Sequence, residues 1–285
     1  MISNSAMLVD LNISVWTGRK MDKKVSEEVD ASKGTKARAG NYHKKLLAGT
    51  DKLEKIQKIV SAVRTWNYNN TLPWSDSGIR LLPSARFMEF NTQLQEREDK
   101  FYGLVKEFVS VYPSLITAQA MALGDMFNRL DYPSADDIEH RFHFNVNYMP
   151  VPASGDFRVD VGNEAQKELQ EKLSKLADQR VESAMNGFKQ RLHEHLKRMS
   201  DRLDLDIIAG EAKPRKFHET LLENAHELCE LAESLNIIND PQIEQTRKAL
   251  KKAISGIDIK DLRKDMDARL EVKTQVDDIL NKFNF

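Results

Sequence analysis

From Asn163 to Leu203 the chain carries no proline, and apolar residues recur at Leu169, Leu173, Leu176, Val181, Met185, Phe188, Leu192, Leu196, Met199 and Leu203. The steps are mostly three and four, the repeat of an amphipathic helix. At about 1.5 Å per residue such a helix runs roughly 60 Å, longer than a small domain can cover from end to end. The stripe therefore predicts a partner, either the helices that follow or another subunit. Leu169, Leu173, Leu176, Leu192, Leu196 and Met199 are the candidate oligomer face. Helical stripes at Phe217 to Leu235, Ile243 to Ile254 and Leu262 to Phe283, parted by short Pro/Gly breaks, predict three shorter helices packed antiparallel on the long one.

Composition divides the chain near Gly162. Of the 21 aromatic residues 17 precede residue 163, as do six of the eight prolines, whereas residues 163–285 hold 46 of the 87 charged residues and neither Trp nor Tyr. The reading is a compact α+β domain over 1–162 and a charged helical region over 163–285, a bundle or coiled coil with its long helix at 163–203. Period-two alternation at Met7 to Val15 marks a strand, and Phe142 to Tyr148 with Phe157 to Val161 reads as a hairpin around Pro150 to Gly155. These predict a small antiparallel sheet of about three strands. Between them, Leu53, Ile56, Val60 and Val63 form one helical stripe begun by Thr50 or Asp51, and Phe87 to Val111 a longer one. Tyr112-Pro113-Ser114 is read as ending that helix, and Ser134 with Asp137 as a capping box. The fold class is α+β, predominantly helical.

Membrane insertion and secretion are not expected. The longest uncharged run, Phe108 to Gly124, is 17 residues and contains Pro113 and several hydroxyl residues, and Asn4 and Asp10 interrupt the apolar start. A single cysteine, Cys229, permits no intrachain disulfide and fits a cytoplasmic protein. No G-x-G pair, P-loop, G-x-S-x-G elbow or H-E-x-x-H helix occurs, which argues against an enzyme and leaves no catalytic residue to name. His140 and His143 with Asp136, Asp137 and Glu139 offer metal-ligand types at a helix end. His193 and His195 point to different helix faces, and the Glu223/His226 pair lacks the second copy a two-metal centre needs. Neither a metal nor a cofactor is expected.

Net charge is -1, yet the charges are not evenly spread: residues 1–66 hold 13 Lys or Arg against 7 Asp or Glu. Arg19, Lys20, Lys23, Lys24, Lys33, Lys36, Arg38, Lys44 and Lys45 lie among small residues and glycines, in composition a mobile loop able to meet phosphates or an acidic protein surface. Trp66, Tyr68 and Trp74 follow, and are candidates for stacking on unpaired bases. The alternative is that the lysines are solvated surface and the aromatics core.

The motifs Leu11-Asn12-Ile13-Ser14-Val15-Trp16-Thr17-Gly18-Arg19-Lys20, Thr71-Leu72-Pro73-Trp74, Arg80-Leu81-Leu82-Pro83, Asp131-Tyr132-Pro133 and Pro150-Val151-Pro152 ahead of Gly155-Asp156-Phe157-Arg158-Val159 give the chain a relative. Over residues 7–200 it resembles a protein of tailed bacteriophages and integrative elements, and its opening is similar to the domain-of-unknown-function family numbered 3150. The resemblance carries no reaction. It implies neighbours, a MoxR-type AAA ATPase and a von Willebrand factor A protein, beside which that family is often encoded. The expected function is a non-enzymatic adaptor or assembly protein that self-associates as a homo-oligomer. The alternative is a DNA-associated accessory factor in phage recombination or replication, with nucleic acid the less favoured partner.

Overall fold

The computed structural model describes residues 5–152, 163–208 and 211–282. The chain opens with strand β1 (Ala6–Ser14), strand β2 (Arg19–Met21), helix α1 (Lys23–Ser32) and strand β3 (His43–Lys45). Helix α2 (Lys52–Asn70), strands β4 (Leu72–Pro73) and β5 (Arg80–Pro83), helices α3 (Phe87–Ala122) and α4 (Ala135–Glu139) and strand β6 (His143–Pro150) follow. Then come helix α5 (Asn163–Leu203), strands β7 (Leu205–Ile208) and β8 (Glu211–Pro214), and helices α6 (Thr220–Leu235), α7 (Pro241–Ile254), α8 (Ile259–Lys264) and α9 (Met266–Lys282). The class is α+β and predominantly helical, as the sequence predicts.

One sheet has the order β4-β5-β1-β6, with β1 and β4 antiparallel to β5, while β2–β3 and β7–β8 are antiparallel two-stranded pairs. Two expected strands are therefore present as β1 and β6. The third, Phe157 to Val161, lies outside the described residues.

Contacts group the chain into two compact units. The smaller is Leu11–Asn67 with Phe90–Val146, and the larger is Met1–Asp10, Tyr68–Glu89 and Asn147–Phe285. The chain passes from one to the other inside β1, α2, α3 and β6. This grouping differs from a boundary at residue 162, for a packing reason: Ala6, Leu8, Leu72, Trp74 and Leu81 share one buried cluster with Val181, Met185 and Phe188 of α5.

In the smaller unit the expected α2 stripe, Leu53, Ile56, Val60 and Val63, is buried. Against expectation, α3 does not stop at Tyr112 but continues through Pro113 to Ala122. Proline removes one helical hydrogen bond, yet Phe108, Tyr112 and Ile116 lie on one buried face that continues past it. Tyr112 stands edge-on to Trp16 at 5.8 Å and its hydroxyl donates to the Pro133 carbonyl at 3.2 Å. Ser134 caps α4 as expected, its Oγ accepting from the Asp137 N–H at 3.1 Å and donating to the Asp137 carboxylate at 2.7 Å. Gly18 has φ +62°, a conformation that L side chains rarely adopt, and a Cβ there would lie 2.5 Å from Leu53 Cδ2, so a larger residue at the turn from β1 into β2 would be strained.

In the larger unit the second half of α5 is a core helix. Leu192, Leu196, Met199 and Leu203 are buried with Leu228, Leu250, Ile254, Val272, Val276 and Ile279 of the later helices. This corrects the oligomer face: Leu192, Leu196 and Met199 are covered by the same chain, because α6, α7 and α9 fold back along this half. Leu169 and Leu173 remain half-buried and Leu176 is exposed. The third expected later helix is two, since Asp265 breaks the run and caps α9 through its Oδ1 to Asp267 N at 2.9 Å.

Helix ends here are closed by arginines. The last carbonyls of α2 accept from Arg80 (Tyr68 O, 3.1 Å) and Arg191 (Tyr68 O, 3.2 Å; Asn69 O, 2.8 Å), groups that otherwise have no intrahelical partner. Arg269, 2% exposed, does the same for α5, donating to Leu203 O at 2.8 Å, Arg202 O at 2.8 Å, Asp204 O at 3.1 Å and Arg215 O at 2.7 Å.

Candidate functional site

The basic segment is a loop only in part: Arg19, Lys20, Lys23, Lys24, Lys44 and Lys45 lie on β2, α1 and β3, while Lys33, Lys36 and Arg38 lie in the connection from α1 to β3. Pairing of β2 with β3 puts Arg19 opposite Lys45 and Lys20 opposite Lys44, like-charged pairs that destabilise a ladder. One charge is relieved locally. Lys44 is 6% exposed, and its Nζ lies 2.9 Å from Asp131, 3.5 Å from Asp22 and 2.7 Å from the Met126 carbonyl to which it donates. Burial pulls its pKa down, but the Asp131 and Asp22 carboxylates outweigh that and leave it raised. Asp22 is also the N-cap of α1. The Val25 N–H that it accepts at 3.2 Å, together with Lys44, holds its carboxyl below the usual range. Lys44 is thus a structural anchor and not part of the open patch, a correction to the candidate set.

The other candidates, Arg19, Lys20, Lys23, Lys24, Lys33, Lys36, Arg38 and Lys45, are all exposed, and among the described residues none makes an ion pair. Lys23 and Lys24 occupy the first turn of α1, where the helix dipole disfavours cations, and no acid stands beside them in that turn. Asp30 folds the connection to β3 back on the helix, its carbonyl accepting from Thr35 Oγ1 at 3.2 Å and its carboxylate from the Ala39 N–H at 3.2 Å. Val29 and Tyr42 are 50% and 43% exposed amid these charges. Glu27 and Glu28 are exposed on α1 as well.

The proposed stacking residues do not form a platform. Trp74 is 5% exposed, inside the larger unit's core. Trp66, in the smaller unit, stacks on Phe90 at 4.6 Å, donates its indole N–H to Gln93 at 3.1 Å and has the Arg97 guanidinium 4.2 Å from its ring. Tyr68 is exposed but flanked by Arg80 at 4.6 Å and Arg191 at 5.7 Å. Large rings in a small domain serve its packing first, which sequence alone cannot distinguish from display.

Among the described residues no three His, Cys, Asp or Glu side chains converge as metal ligands. His140 ends α4 and His143 begins β6, while Asp137 is engaged by Ser134. Asp258 caps α8, accepting from Lys260 N at 2.7 Å. Burial pushes the Cys229 thiol up to about 11, the state of a packing residue and not of a nucleophile.

A feature missed by the sequence reading lies in the larger unit. A cleft of about 480 Å³ runs between α5, residues 216–218, α6 and Leu250 of α7. Leu196, Met199, Ala225 and Leu228 form its floor, and His195, Arg198, Arg202, Lys216 and His218 line it without any carboxylate. The signal was present as His195, Arg198 and Arg202 at steps of three and four, one face of α5 beside the apolar stripe.

Fold and surface together define a two-unit, predominantly helical α+β protein whose candidate site is a charged surface. The chain belongs to the family described as Protein of unknown function (DUF3150), whose profile matches residues 3–262. The match extends beyond the expected 7–200 to take in α6, α7 and part of α8. No curated protein and no solved structure gives a significant match. Among the described residues no helix is long and apolar enough to cross a membrane.

Proposed function

We propose that this chain is a non-enzymatic adaptor or assembly protein of a phage or mobile element, and that the β2–α1–β3 surface docks an acidic protein partner. The observation that carries the reading is the set of exposed cations that make no ion pair among the described residues, with Arg19, Lys20, Lys23, Lys24 and Lys45 held on β2, α1 and β3 at a cost in cross-strand repulsion and unfavourable dipole placement. Stability alone does not favour such placements. Exposed Tyr42 and Val29 supply the apolar contacts typical of protein interfaces, and Glu27 and Glu28 break the positive field that a polyanion would track. The MoxR-type AAA ATPase and the von Willebrand factor A protein implied by the sequence resemblance are the partners to test. Self-association rests on the stripe of Leu169, Leu173 and Leu176, which the later helices leave partly open.

The test is charge reversal of Arg19, Lys20, Lys23 and Lys24 to Glu in the full chain. Binding to a MoxR-type ATPase and to a von Willebrand factor A protein of the kind the resemblance implies would be followed by interferometry, and binding to single-stranded DNA by fluorescence anisotropy across a salt series. The expected result is an unchanged melting curve, a loss of about tenfold or more in affinity for one of the two proteins, and DNA binding that vanishes at physiological salt. Tight DNA binding that survives such salt and is lost on reversal overturns the adaptor reading in favour of the DNA-associated one.

A further inference from the structure

We propose that the cleft between α5 and α6 binds a free fatty acid, its alkyl chain on the floor and its carboxylate at the arginine rim. This goes beyond the docking surface and does not depend on it.

The chemistry follows from the lining. The floor is aliphatic and thioether, with Leu196, Met199 and Leu228 all under 5% exposed and half-buried Leu221 at its side. Such a surface suits a flexible alkyl chain better than a flat ring. The aromatic side chain in the lining, Phe217, is already engaged by the guanidinium groups of Arg269 at 4.9 Å and Arg263 at 5.8 Å. The volume of about 480 Å³ falls in the range of small-molecule sites, roughly 300–1,000 Å³.

Charge selects the head group. Asp plus Glu slightly outnumber Lys plus Arg in the whole chain, 44 to 43, yet among the described residues no acid lines the cleft. The acids nearest in sequence stand outside the lining: Glu194 and Asp201 of α5 are exposed beside it, Glu219 is held by Arg263 at 3.1 Å, and Glu223 and Glu227 of α6 do not line it. Arg198 donates Nε to the Glu194 carbonyl at 3.2 Å, and among the described residues neither it, Arg202 nor Lys216 makes an ion pair. Arg198 and Arg202 sit one helical turn apart, so one carboxylate can be reached by both. His218 and Thr220 are tied to each other at 3.1 Å, and of the remaining cations in the lining Arg198 and Arg202 share one helix face, which makes that pair the head-group site, with Lys216 in the same lining.

Calorimetric titration of the full-length protein with octanoate, decanoate and dodecanoate, each below its micellar concentration, tests the proposal. Saturable one-to-one binding is expected, tightening by up to about fourfold per added methylene until the floor is filled. Arg198→Gln with Arg202→Gln should weaken dodecanoate about tenfold or more at an unchanged melting temperature. Leu221→Gln should flatten the chain-length trend while sparing the charge dependence. Dodecanol should bind much more weakly than dodecanoate. Failure to saturate, equal affinity for all three acids, or indifference to the arginine pair overturns the proposal. So does arginine-dependent sedimentation with phosphatidylglycerol vesicles, which would make the cleft a membrane contact, or displacement of dodecanoate by an acidic amphipathic peptide at lower concentration, which would make it a peptide groove. Neither outcome bears on the β2–α1–β3 surface.

Discussion

Replacing Arg269 with Met would remove one guanidinium and leave four backbone carbonyls short of a donor: Leu203, Arg202, Asp204 and Arg215. Of these residues only Leu203 is buried, at 0% exposure, and its stranded carbonyl should cost about 1–3 kcal/mol. The other three stand where water can reach, so each forfeits only a net bond of about 0.5–1.5 kcal/mol. Burial holds the Arg269 guanidinium below its ordinary pKa, which shows that part of the gain is already offset by desolvation. Met retains much of the apolar contact with Phe217 but none of the donors. The expected loss is about 3–5 kcal/mol, near the top of the range for single substitutions. Arg269→Lys should recover part of it, because a compact ammonium cannot span all four acceptors. Urea titration followed by far-UV circular dichroism would measure the loss, and hydrogen exchange in the last turn of α5 and the first turn of α9 would localise it. A loss under about 1 kcal/mol, or exchange unchanged at those turns, refutes the claim that Arg269 closes the end of α5.

Three further outcomes follow from the same reasoning. Lys44→Met should cost about 3 kcal/mol near neutral pH, since it strands Asp131 in a largely buried site. Because the Lys44 pKa is raised, its contribution is fully present below the ordinary lysine range and is lost as pH climbs through the raised value. The lowered Asp22 contributes above the ordinary carboxylate range and loses that as pH falls through its folded pKa, so urea midpoints against pH should show both limbs flattened in the variant. With its thiol at about 11 instead of 9, Cys229 should alkylate with iodoacetamide on the order of 100-fold more slowly in the native chain than in urea; equal rates would contradict its burial. Leu192→Asp with Leu196→Asp should unfold the larger unit by putting charge in its core, whereas Leu173→Asp with Leu176→Asp should leave the melt intact and change only the sedimentation coefficient. A wild-type chain that sediments as a monomer would remove the oligomer face altogether.

Local signals were legible where they are local in physics. The period-two run at Met7 to Val15 is β1, the proline-free stripe from Asn163 to Leu203 is α5, and Ser134 with Asp137 caps α4. What stayed hidden depends on contacts distant in sequence. Strands as short as Leu72–Pro73, Arg19–Met21 and Leu205–Ile208 are too brief for a period and exist because a partner strand meets them. Pro113 reads as a helix stop, and only the continuous buried face of Phe108, Tyr112 and Ile116 overrides it. The basic segment was legible as a charge imbalance, yet nothing in its spacing separates Lys44, drawn inward by Asp131, a residue 87 positions away, from Lys45 beside it. The cleft was missed because its lining comes from three helices distant in sequence and its arginines from a face of α5 that a stripe analysis assigns to solvent.

The cations of this chain therefore separate by hydrogen-bond engagement and not by position in the sequence. Arg80 and Arg191 close the end of α2, Arg269 closes the end of α5, and Lys44 joins two carboxylates and a carbonyl. Each is at least partly buried, and each satisfies backbone or carboxylate groups that would otherwise lack a partner. Such residues account for charge that carries no information about ligands. Once they are set aside, the exposed cations left without ion pairs include two local groups, one on β2, α1 and β3 of the smaller unit and one along the cleft of the larger. The first group is interleaved with acids and an exposed tyrosine, the pattern of a surface that meets another folded surface. The second surrounds an aliphatic floor with no acid among the described lining residues, which is what supports the proposal of a small anion with an apolar tail. The two proposals call for different partners, so substitutions at Arg198 and Arg202 should leave protein binding at β2–α1–β3 unchanged, and charge reversal at Arg19, Lys20, Lys23 and Lys24 should leave dodecanoate binding unchanged.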